Sequence, residues 1–333
     1  MQVARDVSLA GKTTLGIGGA AREFVRVATV DELREALATS EPVLILGGGS
    51  NLVVGDGGFA GRVVQPGMTA IAYDGDEVRV EAGVVWDELV AQMVDEGRAG
   101  LECMSGIPGL VGATPMQNVG AYGQEVSDTI VRVEALYRET REVVTFSPEQ
   151  CRFGYRTSAF KATSRWVITS VTFRLRRGES RPRYAELTKA LAIAEGGTAP
   201  LARVRETVIG LRRGKGMVVD AADPESRSAG SFFTNPIVEP AVVARLDARF
   251  GAAMPRWPQP DGMVKLSAGW LIERAGFTKG YTVGRVGISK KHALALVNRG
   301  GASAAELLAL AREIQDGVRA QLGVQLELEP VVV

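Results

Sequence analysis

The residues with the greatest chemical reach stand in three short strings. In Cys151-Arg-Phe-Gly-Tyr-Arg-Thr-Ser-Ala-Phe-Lys161, Tyr155 and Arg156 lie between a glycine and two hydroxyl residues, so one stretch of chain can present a ring and a guanidinium together. A guanidinium is a planar fork that meets a carboxylate at two points, which an ammonium cannot do. The plainer reading is an exposed Tyr-Arg pair on an edge strand. In Ala229-Gly-Ser-Phe-Phe-Thr-Asn-Pro236, small residues lead to Ser231 and two bulky apolar residues follow it. Such anchoring can fix a hydroxyl for proton transfer, or the serine can be an ordinary cap or turn residue. Near the end of the chain, Leu326-Glu-Leu-Glu-Pro330 carries Glu327 and Glu329, which strand alternation would point to one face.

Two glycine-rich strings offer a different chemistry. Gly47-Gly-Gly-Ser-Asn51 permits positive φ and close backbone approach, so several N–H groups can converge on a pyrophosphate while Ser50 and Asn51 donate as well. A glycine-rich hairpin would look the same. The apolar runs on either side, Val43–Leu46 and Leu52–Val54, read as strands. A Rossmann loop would open a helix, so the dinucleotide fingerprint fails on context. The second string, residues 105–123, is dense in glycine and proline yet carries Val, Met and Ile, which argues for an ordered loop in contact with something.

The elements that must hold these strings follow from pattern. Thr29-Val-Asp-Glu32 is a capping box and predicts a helix near 30–39; residues 77–82 alternate as a strand, and apolar residues at 86, 89, 90, 93 and 94 predict a helix. Strands are expected at 131–137 and 166–175, a surface connection at the Arg-rich 176–183, and a helix over about 201–213. Leu266, Trp270, Leu271 and Ile272 read as helix core. The end reads as strand, helix, strand, with apolar runs at 293–297 and 324–328 around a helix capped by Ser303 and Glu306, whose apolar face is Leu307, Leu310, Ala311, Ile314 and Val318.

Composition narrows the function. At 333 residues the chain should form two or three domains, and a formal charge of +1 gives no field to recruit nucleic acid or an anionic membrane. No apolar run nears the ~20 residues of a membrane helix, and residues 1–14 lack a signal-peptide pattern, so a cytoplasmic protein is expected. Cys103 and Cys151 make no disulfide framework, and with His292 the single histidine, no His-rich metal site is expected.

Taken together, these strings resemble the UDP-N-acetylenolpyruvoylglucosamine reductase family, whose signature Phe153-Gly-Tyr-Arg-x-Ser-x-Phe-Lys161 is similar to, as are Gly230-Ser-Phe-Phe233 and Lys265-Leu-x-Ala-Gly-Trp-Leu-Ile272. The resemblance implies an α+β fold: a p-cresol methylhydroxylase-like FAD-binding region of two subdomains (1–65 and 66–183) followed by an α+β substrate-binding domain (184–333). It implies noncovalent FAD, NADPH as co-substrate, and reduction of UDP-N-acetylglucosamine enolpyruvate. Gly47, Gly48, Gly49, Ser50 and Asn51 would hold the diphosphate, while Ser105, Gly106, Ile107, Gly112, Gln117, Asn118 and Gly120 line the path from adenine to flavin. Arg156 would bind the enolpyruvyl carboxylate beside Tyr155, Ser231 would be the general acid, and Glu329 the catalytic carboxylate. Tyr184, Lys215, Asn235, Lys265 and His292 would face the substrate. The family string Leu-x-x-Glu-Val-Arg is altered here: Pro330 stands after the glutamate and no arginine follows, which keeps Glu327 open beside Glu329. A flavin oxidase and a non-catalytic nucleotide sensor are the rival readings; neither glycine-rich loop contains a histidine to tether flavin.

Overall fold

Thr29 starts the first helix as its pattern requires, its hydroxyl accepting the Glu32 N–H at 3.1 Å, while the Glu32 carboxylate reaches back to the Ala28 N–H at 2.7 Å. The helix, α1 (Val30–Ala36), stops before 39 and buries Leu33 and Ala36. Helix α2 (Trp86–Asp95) buries all five apolar residues that set its period. These elements belong to a computed structural model that describes residues 1–161, 163–251 and 253–333.

The chain divides into two units that do not follow chain order. Unit 1 gathers Met1–Val7, Ala20–Gly49 and Phe59–Val218; unit 2 gathers Ser8–Gly19, Ser50–Gly58 and Val219–Val333. Among the described residues, unit 1 contains two main sheets and two small two-stranded ones. In the first, strand Phe59–Pro66 lies between Ala20–Val27 and Val43–Ile45, parallel to both. In the second, Ile130–Tyr137 and Trp166–Arg174 are central antiparallel neighbours, flanked by Val143–Phe146 on one side and Glu77–Glu81 with Ile71–Asp74 on the other. Val25, Val27, Leu33, Val64, Leu136 and Val167 share one core cluster, so the two sheets of this unit are packed into each other.

Unit 2 is organised by a helix of 19 residues, α3 (Ala304–Leu322). Ser303 and Glu306 form the expected capping box, the Asp56 carboxylate accepts the Ala304 and Ala305 N–H groups at 2.7 and 3.0 Å, and Leu307, Leu310, Ala311, Ile314 and Val318 are buried. Each fully buried leucine or isoleucine contributes about 1.5–3 kcal/mol. With mixed helices and short sheets in both units, the fold is α+β.

Two local expectations give way. Leu266 ends a strand (Val264–Leu266) and is not a helix residue; Ser267 caps the helix that follows (Ala268–Arg274), its hydroxyl accepting the Trp270 N–H, so the helix starts two residues after Leu266. The run 324–328 is extended but forms no ladder. Val324 and Leu326 alternate into the core, yet Leu328 makes only an isolated bridge to Phe233, and the last strand is Val331–Val332, paired with Leu52–Val53. Alternating burial needs only an extended chain, whereas a strand also needs a neighbour.

Both thiols are buried in unit 1. Burial, reinforced by the Glu102 charge at Cys103 and the Glu149 charge at Cys151, pushes each up to about 12. A thiol of that pKa holds about 10⁻⁴ of its population as thiolate at pH 8. A thiol reagent at pH 8 should therefore label neither cysteine in the native protein and both after unfolding; rapid native labelling would contradict this packing.

Candidate functional site

In the triple-glycine loop, one arm, Val43–Ile45, pairs with Phe59–Pro66, whereas the other, Leu52–Val53, pairs with Val331–Val332. The arms lie in different sheets, so the string is not a hairpin. Gly49 has φ +64°, and a Cβ on Gly48 would stand 2.6 Å from the Gly109 Cα. The two glycine-rich strings therefore meet backbone to backbone inside unit 1. Gly112 is equally confined, its N–H donating to the Ala82 carbonyl at 3.0 Å and a Cβ there falling 2.6 Å from the Ala82 Cβ. A recess of about 110 Å³ opens beside them, lined by Ile45, Gly47, Gly112, Met116, Trp166 and Val167 among others. Apolar walls interrupted by bare glycine backbone suit part of a planar, phosphate-bearing ligand.

The polar members of the second loop largely build the loop itself. The Ser105 hydroxyl, fully buried, donates to the Glu102 carbonyl at 2.7 Å, and the Gly106 N–H donates to the Asp87 carboxylate at 2.6 Å. Arg205 grips the same carboxylate at 2.6 and 2.9 Å. Burial works to raise the Asp87 carboxyl, but Arg205, the Gly106 N–H and the nearby Arg212 charge hold it below the usual range. Ile107 packs against the core of the unit, and Gln117 ends a short 3₁₀ turn. Asn118, buried and left-handed at φ 46°, donates to the Glu125 carboxylate at 2.7 Å and accepts the Ser127 N–H at 3.1 Å.

Tyr155 and Arg156 occupy the tip of a turn, closed by Gly154 N–H to the Thr157 carbonyl at 3.1 Å and the reverse bond at 3.2 Å. They are not an edge-strand pair. Arg156 sits at φ 52°, a conformation that costs an L-residue about 1–2 kcal/mol. Its guanidinium donates to the Gly120 carbonyl at 2.9 Å and lies 5.6 Å from the Tyr155 ring centre. This turn is thus bonded directly to the second glycine-rich loop.

Elsewhere in unit 1, the exposed Tyr184 ring meets Tyr122 edge-on at 5.6 Å, and the Lys215 ammonium stands 5.2 Å over that same Tyr122 ring. Burial opposes the Lys215 charge, but Glu186, bonded at 2.6 Å, and Tyr122 hold its pKa above the ordinary value. Sequence reasoning passed over Tyr122 and Arg212. Arg212 is buried, its Nε has no hydrogen-bond partner among the described residues, and that atom would lie 3.5 Å from a Cβ on Gly106. A buried donor kept unpaired beside this loop fits an anionic ligand. Only its position on a helix, Leu201–Gly214, surrounded by other arginines, hid it.

In unit 2, the segment after Ser231 runs antiparallel to the end of the chain. Phe233 bridges Leu328, the Thr234 N–H donates to the Glu327 carbonyl, and the Glu329 N–H donates to the Phe232 carbonyl, both at 3.0 Å. Glu329 is thereby fixed one residue from Ser231. Leu326 is buried and Glu327 exposed, while Glu329 is half-buried. The serine's approach is held by residues that sequence reasoning missed: the Thr14 hydroxyl donates to the Ser228 carbonyl at 2.6 Å, and the Asn298 amide anchors Leu15 at 3.0 Å. Asn235 accepts the Ala268 N–H at 2.9 Å, Lys265 lies on the Val264–Leu266 strand 5.8 Å from the Trp257 ring, and His292 Nδ1 accepts the Leu294 N–H at 3.2 Å. Tyr155, Arg156, Tyr184 and Lys215 therefore belong to unit 1, and Ser231, Asn235, Lys265, His292 and Glu329 to unit 2.

Two substitutions test this backbone geometry. Arg156→Gly should leave the unfolding temperature near that of the parent, because relief of the left-handed backbone offsets the lost carbonyl contact, whereas Arg156→Val should lower it. Gly48→Ala should cost about 1–3 kcal/mol by forcing the two loops apart. Calorimetry of the three variants checks both; a Gly48→Ala protein as stable as the parent would remove the loop contact.

Comparison with known proteins accounts for this assembly of parts. The profile described as "UDP-N-acetylenolpyruvoylglucosamine reductase, C-terminal domain" matches residues 223–333, and that described as "FAD binding domain" matches residues 21–147. A UDP-N-acetylenolpyruvoylglucosamine reductase of Thermobifida fusca (strain YX) is 52% identical over 347 residues, covering 99% of this chain and 98% of its own length. That of Mycolicibacterium gilvum (strain PYR-GCK) is 51% identical over 336 residues, covering 99% and 96%. The crystal structure of the reductase from Thermus caldophilus superposes with a TM-score of 0.71 at 31% identity, covering 100% of this chain and 99% of that one. With half of its residues shared over its full length and both constituent domains matched, the chain belongs to the UDP-N-acetylenolpyruvoylglucosamine reductase family.

Proposed function

We propose that this protein is an FAD-dependent enzyme that uses NADPH to reduce UDP-N-acetylglucosamine enolpyruvate to UDP-N-acetylmuramate, a step in peptidoglycan precursor synthesis carried out in the cytoplasm. The observation that carries the reading is the pairing of the Ser231 segment with the Glu329 segment in a chain about half identical to such reductases over its whole length. Among the described residues no helix is long and apolar enough to cross a membrane, in keeping with a water-borne sugar nucleotide as substrate.

Bound FAD supplies the hydride relay between NADPH and the enolpyruvyl carbon, chemistry that no side chain offers. The residues present fit it: glycine backbone at Gly47, Gly48 and Gly112 beside an apolar recess, Ser50 in the same loop, and the buried Arg212 Nε next to Gly106 for an acidic group. Gly49, Ser105, Ile107, Gln117, Asn118 and Gly120 complete the loops that would hold the cofactor. Neither glycine-rich loop contains a histidine, so neither offers a histidyl tether, which supports noncovalent attachment.

The protein's own part is placement and electrostatics. Arg156 binds the enolpyruvyl carboxylate and draws the negative charge that develops as hydride arrives, with Tyr155 packed beside the substrate. Glu329 steadies the same enolate-like charge, a task that requires the carboxyl to carry or share a proton. Glu329 is favoured over Glu327 because its N–H is bonded to Phe232, next to Ser231, whereas Glu327 lies opposite Thr234 and is exposed. Ser231 donates the proton that completes the reduction. Tyr184, Lys215, Asn235, Lys265 and His292 hold the sugar nucleotide, Lys215 with its charge secured by Glu186 and Tyr122.

The proton from Ser231 would be needed only where the enolpyruvyl group is reduced, so its loss should not touch the reaction with NADPH. Ser231→Ala should therefore leave anaerobic bleaching near normal and slow reoxidation by the enolpyruvyl substrate by about 10²–10⁴-fold. Ser231→Cys should recover part of that loss, since a thiol can donate where alanine cannot. Equal slowing of both halves in stopped flow would make Ser231 a positioning group.

A further inference from the structure

Asn51 stands in the glycine-rich string, where its amide suggests a phosphate donor, but in the folded chain that amide also serves the other end of the molecule. Its Nδ2 donates to the Glu329 carbonyl at 3.3 Å, and its own carbonyl accepts the Val331 N–H at 3.1 Å. Between these two groups sits Pro330, buried and without an N–H. The polar backbone groups that flank the proline are thus both received by one residue. On the other side, the Glu329 N–H goes to the Phe232 carbonyl at 3.0 Å. Glu329 is therefore held by its N–H to the segment of Ser231 and by its C=O to Asn51.

We infer that Asn51 is a positioning residue for Glu329: its side chain fixes the backbone from which the carboxylate projects, at the point where this chain carries proline. A carboxylate that must steady a charge beside a proton donor tolerates little displacement, and a misplacement of about 1 Å can cost about 10²-fold. The strand that follows strengthens the hold. Val331 and Val332 pair with Leu52 and Val53, the Val333 N–H donates to the Val53 carbonyl at 2.9 Å, and the Gly55 N–H donates to the Val333 carbonyl at 2.7 Å. The inference rests on reading Glu329 as the catalytic carboxylate.

The test compares half-reactions of the flavin-loaded full chain, with each rate measured per bound flavin. Asn51→Ala should slow reoxidation by the enolpyruvyl substrate at least tenfold more than it slows bleaching by NADPH. The pH dependence of reoxidation should also be displaced, which a loosened fold alone would not produce. Asn51→Ser, which keeps a donor, should recover part of the loss. Removing Val332 and Val333 loosens the same segment without touching Asn51 and should give the same selective slowing, which keeps the inference testable if Asn51→Ala fails to fold. Equal slowing of the two halves, or none, would overturn it. Glu329→Gln serves as the reference: if it slows reoxidation selectively while Asn51→Ala does not, the catalytic carboxylate stands and the positioning role falls; if neither does, both fall.

Discussion

The antiparallel contact between Phe232–Thr234 and Glu327–Glu329 is the constraint on which the unit 2 part of the site depends. It is short, only an isolated bridge with a hydrogen bond on each side, and so it cannot stand alone. What makes it firm is the core beneath it: Phe232, Phe233 and Leu326 are buried in one cluster with α3, so the two polar segments are carried on apolar anchors. Two bulky residues after the serine thus bear on the role proposed for it. They convert hydrophobic burial, which has no direction, into a fixed placement for a hydroxyl and a carboxylate.

Unit 1 solves a different problem, the close approach of backbone to backbone. Gly48 against Gly109 and Gly112 against Ala82 leave no room for a side chain, while Asp87, Glu102 and Asn118 occupy the polar groups that an irregular loop would otherwise leave unpaired. A loop held by its own hydrogen bonds has less conformational entropy to lose on binding. The left-handed Arg156 belongs to the same economy of geometry: its unfavourable backbone is held by bonds to the second loop.

Much of this was readable from the chain. The capping patterns at Thr29 and Ser303 and the apolar periods of Trp86–Asp95 and Ala304–Leu322 are local signals, written within a few residues, and the structure follows them. The strand and glycine order around 43–54 was also local. Three things were not readable. The 324–328 run has the alternation of a strand but pairs only at its end, where Leu328 bridges Phe233; the Asn51 amide serves a residue far along the chain; and Arg212 is buried although its helix is rich in surface arginines. Each depends on which distant segment packs there, and periodicity carries no information about that. Family resemblance supplied the roles proposed for Tyr155, Arg156 and Ser231, which residue type alone left open.

The pairing of Leu52–Val53 with Val331–Val332 has a consequence for how the molecule is made. Residues 8–19 and 50–58, synthesised early, belong to a unit whose remaining residues begin at Val219. They must wait for the residues from Val219 onward, because contacts this distant along the chain close late and slowly. Unit 1 meanwhile has its own sheets complete well before that point. The pairing of Val331 and Val332 with Leu52 and Val53 is therefore a late contact of biosynthesis, made after the segments of unit 1 have been synthesised.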